Sequence, residues 1–134
     1  DGVLIVNDAY NANPDSMAAA LEALHHLHQS RLGEYPAARA FAVLGDMLEL
    51  GADSARWHRR VGASAQVSQV LAVGDFAGDI VAGAAENGIA GRKVSKDEIV
   101  AALDVRPGDV VLFKASRGVG LETVAQRLTE EETA

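Results

Sequence analysis

Short apolar runs alternate along this chain with longer segments of helical periodicity. Val3 to Val6, Ala40 to Leu44, Gln69 to Val73 and Val110 to Lys114 are apolar over most of their length. Runs of this length bounded by turn residues read as buried strands. Between the first two, Met17, Leu21, Leu24 and His28 recur at spacings of three and four. That spacing puts them on one face of a helix from Pro14 to about Ser30. Asn13 suits its cap and Pro14 its first position. Further helices are predicted over about Asp53 to Ala65 and Phe76 to Glu86, and from a Ser95 cap to Leu103 with Asp97 and Glu98 in the first turn. Arg92 to Val94 reads as a brief extra strand. A final helix is expected over Gly118 to Leu128, followed by a frayed acidic tail from Thr129 to Ala134.

Strands alternating with helices predict an α/β fold: a mostly parallel sheet with helices on both faces, Rossmann-like in type. The strand runs are continuously apolar rather than alternating, as a sheet covered on both sides requires. No repeat or low-complexity segment interrupts the pattern, so residues 1–134 are expected to form a single domain. Asp1-Gly2 leads straight into a strand, as expected of a domain excised from a longer protein. The pattern leaves the strand order open.

Composition narrows the function classes. Apolar residues make up 49% and charged residues 23% of the 134, the balance of a globular domain. Cysteine is absent, which excludes disulfides and thiolate metal sites. No basic, apolar leader opens the sequence, and a cytoplasmic location is expected. The net charge of -7 repels phosphate backbones and argues against a nucleic-acid partner. No apolar run approaches the roughly 20 residues of a membrane span, so membrane insertion is not expected.

Three polar segments follow predicted strands, and in open α/β sheets ligands bind beyond the carboxyl ends of the strands. The first is Asn7 to Pro14. Asp8 can accept hydrogen bonds from sugar hydroxyls, and the amides of Asn11 and Asn13 suit a base or a ribose; Asn13 alternatively serves only as a cap. The second, Gly45 to Gly51, brings Asp46 and Glu49 close together. Paired carboxylates perform acid–base work or bind an ammonium group, and Asp46 could also cap a turn. The third, Lys114 to Gly120, sets Lys114, Ser116 and Arg117 before a helix, a combination that makes an anion site. His58 either points to the same edge or packs beside Trp57. His25, His26 and His28 do not converge on a metal: only His25 and His28 share a face, and two ligands are not a site.

Taken in order, these segments resemble the C-terminal domain of the Mur ligases, and within that family the D-alanyl-D-alanine-adding branch. The resemblance is carried by Asp8-Ala-Tyr-Asn-Ala-Asn-Pro-Asp-Ser-Met17, Val43-Leu-Gly-Asp-Met-Leu-Glu-Leu-Gly51, His58 with Val61-Gly62, Val73-Gly-Asp75, and Gly108-Asp-Val-Val-Leu-Phe-Lys-Ala-Ser-Arg-Gly118. It spans nearly the whole chain. Ala115 departs from it, standing where the family carries glycine.

The resemblance implies an ATP-dependent ligase of peptidoglycan precursor synthesis. Such an enzyme joins D-alanyl-D-alanine to UDP-N-acetylmuramoyl-tripeptide through an acyl phosphate. It also implies that this domain binds the dipeptide and closes over the ATP. The P-loop, the Mg2+ ligands and the UDP-sugar site would lie in two other domains. Asp8, Tyr10, Asn11 and Asn13 would face the nucleotide, and Asp46, Glu49, His58, Lys114, Ser116 and Arg117 the substrate. No residue of this domain is assigned a catalytic role, and none a metal. The isolated chain is expected to lack ligase turnover and to bind ATP weakly or not at all.

Three rivals stand beside this reading. A nicotinamide-dependent oxidoreductase would need Gly-x-Gly-x-x-Gly after the first strand, where the chain has Asn7-Asp8-Ala9-Tyr10-Asn11-Ala12-Asn13. A non-catalytic module of the same fold would have no use for three polar loops. A sister Mur ligase adding another amino acid would usually carry a histidine in the first loop.

Overall fold

The computed structural model describes residues 2–8, 12–116 and 119–133. Its centre is a five-stranded sheet in the order β1-β5-β2-β3-β4. The strands are β1 (Leu4–Asp8), β2 (Ala40–Leu44), β3 (Gln69–Ala72), β4 (Ala90–Lys93) and β5 (Val110–Lys114), and every adjacent pair is parallel. The helices are α1 (Pro14–Arg31), α2 (Ser54–Ser64), α3 (Ala77–Glu86), α4 (Ile99–Ala102) and α5 (Leu121–Thr133).

Side-chain alternation along the strands sorts the core into two layers. Ala42, Leu44, Val70, Ala72, Val110 and Leu112 meet Met17, Leu21 and Leu24 of α1, Val61 of α2, and Ile80 and Ala84 of α3. Phe41, Val43, Leu71, Val111 and Phe113 meet Ile99 of α4 and Leu121, Val124 and Leu128 of α5. The split follows from chain direction. From β1 through β4 the chain advances one way across the sheet, and crossovers of one hand place α1, α2 and α3 on one face. From β4 the chain doubles back to β5, so α4 falls on the other face.

Four boundaries differ from the sequence expectation. β1 runs on through Asn7 and Asp8, which pair with Phe113 and Lys114; the ladder is a backbone property and outlasts the apolar run. β4 begins at Ala90, and its residues are largely exposed at the sheet edge, so no apolar pattern marks it. Ser95 caps a short 3-10 turn, Lys96–Glu98, that leads into α4. α5 starts at Leu121 and continues to Thr133, because glutamates extend a helix readily.

Candidate functional site

β5 lies between β1 and β2, and this placement creates the site. The loops leaving β1 and β2 lead to helices on one face, while the loop leaving β5 leads to α5 on the other. Neighbouring strand ends whose loops part in this way open a crevice at the carboxyl edge of the sheet. The described parts of the three polar segments singled out in the sequence, residues 7–8 and 12–14, 45–51, and 114–116 with 119–120, lie at that edge.

Strand register brings the first two groups together. Asp8 and Lys114 are partners across β1 and β5, and partners in a ladder project from the same face. Lys114 Nζ donates to Asp8 Oδ2 at 2.8 Å; the lysine side chain is 3% exposed and the aspartate 48%. Lys114 therefore does not reach out to a ligand as the sequence suggested. It is a buried cation that fixes Asp8, whose half-open carboxylate keeps lone pairs for a donor from solution.

Ser116 ties the three loops to one another. Its Oγ accepts the Leu48 N–H at 2.8 Å and lies 3.4 Å from the Ala12 carbonyl, while its own N–H donates to the Asp46 carbonyl at 2.9 Å. The hydroxyl is buried and already engaged, so Ser116 is a joint in the rim more than an open anion contact. Ala115, the departure from the family pattern, is accommodated by Gly45: a Cβ there would lie 2.7 Å from the Ala115 Cβ.

Asp46 and His58, assigned to the substrate by the resemblance, are turned inward, and Asp46 takes the capping alternative that the sequence also offered. The two carboxylate oxygens of Asp46 accept the N–H groups of Asp75 and Phe76, each at 3.0 Å, just before α3. An anion at a helix start satisfies donors that the helix cannot. His58 is fully buried. Its Nε2 accepts the Met47 N–H at 2.8 Å, and its Nδ1 stands 2.6 Å from the Ser54 carbonyl. The ring stacks on Phe76 with centroids 4.4 Å apart, where the sequence left the ligand edge and Trp57 as alternatives.

Asn13 performs the capping role. Its side chain accepts from Ser16 N–H at 2.9 Å, and Ser16 Oγ accepts the Asn13 N–H at 3.0 Å. The side chain is exposed at the rim. Glu49 is exposed as well, with φ of 64°, the only left-handed non-glycine residue among those described. Such backbone is tolerated where the surroundings enforce it, often beside a site. Tyr10, Asn11 and Arg117 lie outside the described residues.

Sequence reading missed the supporting residues. Gly74, at φ of 107°, has its would-be Cβ 2.6 Å from the Asp46 carboxylate, so only glycine lets Asp46 reach the start of α3. Its one visible signal was a glycine directly after a strand. Backbone N–H groups of Met47, Leu48, Asp75 and Phe76 leave no mark in sequence at all. Among the described residues no three His, Cys, Asp or Glu side chains gather as a metal cradle, and no helix is long and apolar enough to cross a membrane. His28 Nε2 is bonded to the Ala38 carbonyl at 2.7 Å.

The chain resembles known proteins over nearly its whole length. Residues 1–117 match the family model described as "Mur ligase, glutamate ligase domain". The UDP-N-acetylmuramoyl-tripeptide–D-alanyl-D-alanine ligase of Mycobacterium tuberculosis is 40% identical over 99% of this chain, and its namesake in Mycobacterium leprae 42% over 96%. The alignments take in 30% and 28% of those proteins, so the chain spans less than a third of the relatives it matches. The crystal structure of the MurF ligase from Thermotoga maritima in complex with ADP superposes with a TM-score of 0.79 at 32% identity. That match covers the whole of this chain and 30% of the other.

Proposed function

The chain belongs to the Mur ligase family, and from that premise we propose that it is the C-terminal domain of an ATP-dependent ligase joining D-alanyl-D-alanine to UDP-N-acetylmuramoyl-tripeptide. The carrying observation is the convergence of the β1, β2 and β5 loops on one crevice, joined through Lys114–Asp8 and Ser116–Leu48. Relatives of that name match the chain over almost all its length, and a structural neighbour was solved with ADP.

In this reading the domain positions and covers, and the remainder of the ligase supplies the P-loop and the Mg2+ ligands. Asp8, held by Lys114, accepts from the ribose, and the exposed Asn13 stands at the same rim; Tyr10 and Asn11 are assigned to the nucleotide by the family resemblance alone. Glu49 faces the dipeptide amine, and Arg117 is assigned by the family resemblance alone to negative charge, the phosphate or the dipeptide carboxylate. Ser116 sets the distance between the two groups of loops. Asp46, His58 and Lys114 are supports. The reaction runs through an acyl phosphate: the tripeptide carboxylate attacks the γ-phosphate of ATP and ADP leaves. The dipeptide amine then attacks the acyl carbon, loses a proton and expels phosphate. Holding the amine in line is worth several orders of magnitude in rate, and that task falls to the present loops. The enzyme is placed in the cytoplasm, where its ATP is.

The test is phosphate release by the full-length ligase carrying this sequence, supplied with ATP, UDP-N-acetylmuramoyl-tripeptide and D-alanyl-D-alanine, with mass spectrometry of the product. Release that requires the dipeptide and yields the pentapeptide is expected. Turnover with a single amino acid in its place would overturn the assignment in favour of a sister ligase.

A further inference from the structure

We propose that His58 is a positioning residue for the dipeptide side of this crevice, acting through the backbone of Met47. The proposal rests on the ligase reading given above and assigns to that site a residue outside its ligand contacts.

Three consecutive loop residues are each tied to a different element. Asp46 is tied by its carboxylate to the start of α3, at 3.0 Å from both the Asp75 and Phe76 N–H groups. Leu48 is tied by its N–H to Ser116 beyond β5, at 2.8 Å. Between them, Met47 is tied by its N–H to His58 Nε2 on α2, at 2.8 Å. Glu49, in left-handed backbone with φ of 64°, follows directly. The direction in which Glu49 leaves the sheet is therefore set by three anchors in a row, and His58 supplies the middle one.

The chemistry fixes the form of the ring. Met47 N–H is a donor, so Nε2 must be the unprotonated nitrogen. Nδ1 then carries the proton and donates to the Ser54 carbonyl at 2.6 Å. A buried ring with both nitrogens engaged and one face on Phe76 at 4.4 Å has one orientation, and so does the loop it holds. An aliphatic residue of equal volume would fill the space and leave the Met47 N–H without a partner.

Two variants separate positioning from packing. In His58→Gln the side-chain oxygen reaches the place of Nε2 and can accept from Met47. In His58→Asn the shorter amide occupies the place of Nδ1 and cannot. Both lose the ring, so both lose its stacking. In the full-length ligase at matched folded fraction, His58→Asn is expected to raise the KM for D-alanyl-D-alanine about tenfold, the scale of one buried hydrogen bond. KM for ATP should stay put, and His58→Gln should recover most of the loss. Equal dipeptide KM values for the two variants would overturn the proposal. In the 134-residue chain itself, nitrogen-15 spectra are expected to show the ring protonated on Nδ1 alone, and the Met47 and Leu48 amides to exchange faster in His58→Asn than in His58→Gln. The opposite tautomer, or equal exchange, would overturn it independently of catalysis. A native ligase inert toward D-alanyl-D-alanine would sink the functional reading, while the spectra still decide the role of His58.

Discussion

The two ends of the sheet are equally polar and differ in where their polar groups point. At the amino end, Asp109 is 1% exposed. It accepts from the Arg39 N–H at 2.8 Å, the Arg106 N–H at 2.8 Å and the Arg39 guanidinium at 2.9 Å. Arg31 donates to the carbonyls of Gly108 and Gly2. Every one of these partners belongs to the chain, although Arg39 is 31% and Arg106 68% exposed and the buried Arg39 Nε has no hydrogen-bond partner among the described residues. At the carboxyl end Asp46, His58, Lys114 and Ser116 are just as inward, yet they support Asp8, Asn13 and Glu49, which meet solvent. Charge density alone does not mark a site. What sets the carboxyl end apart is that its exposed groups, Asp8, Asn13 and Glu49, stand at the strand ends beyond which ligands bind in open α/β sheets.

That contrast can be broken by mutation. The largest loss of stability is expected from Asp109→Ala, which strands two backbone N–H groups and a partly buried guanidinium. It should cost about 2–4 kcal/mol in urea unfolding, with no change in ligand affinity of the folded fraction. Asp46→Ala removes the acceptor for two N–H groups and should cost about 1–3 kcal/mol. Unlike the first, it should also weaken dipeptide binding in the full-length ligase by calorimetry. If Asp109→Ala disturbed binding as much as Asp46→Ala, the two ends would not differ as described.

Smaller effects sharpen the comparison. Asp8→Asn keeps an acceptor for Lys114 but removes the negative charge beside its buried ammonium, and should cost about 1–2 kcal/mol, while raising the KM for ATP on the order of tenfold. A stability loss without a KM change would reduce the Lys114–Asp8 pair to a structural one. The smallest effect lies away from both ends. The Glu98 carboxyl is held below its ordinary value, first by the Ser95 backbone N–H and then by the Ser95 side chain. A depressed carboxyl stabilises the fold above the unfolded value of about 4.3. That contribution fades as pH falls through the lower folded value. Glu98→Gln should flatten this part of the acid-side stability profile and leave ligand affinity untouched.

The sequence by itself determined the layered α/β architecture, because apolar runs and helical spacing are local and the core needs both. It also determined the cap at Asn13 and marked the three loops around the crevice, since their polar residues have no use in a buried sheet. Only the tertiary structure decided the strand order, and with it the position of β5 between β1 and β2, because pairing between distant strands is written in no local pattern. It likewise decided which polar residues turn inward. Lys114 and Asp8 are 106 positions apart and became a pair through register alone. Asp46 and His58 carry the residue types of a ligand site, yet their partners are backbone groups, the N–H of Met47, Asp75 and Phe76 and the Ser54 carbonyl, which no side chain advertises.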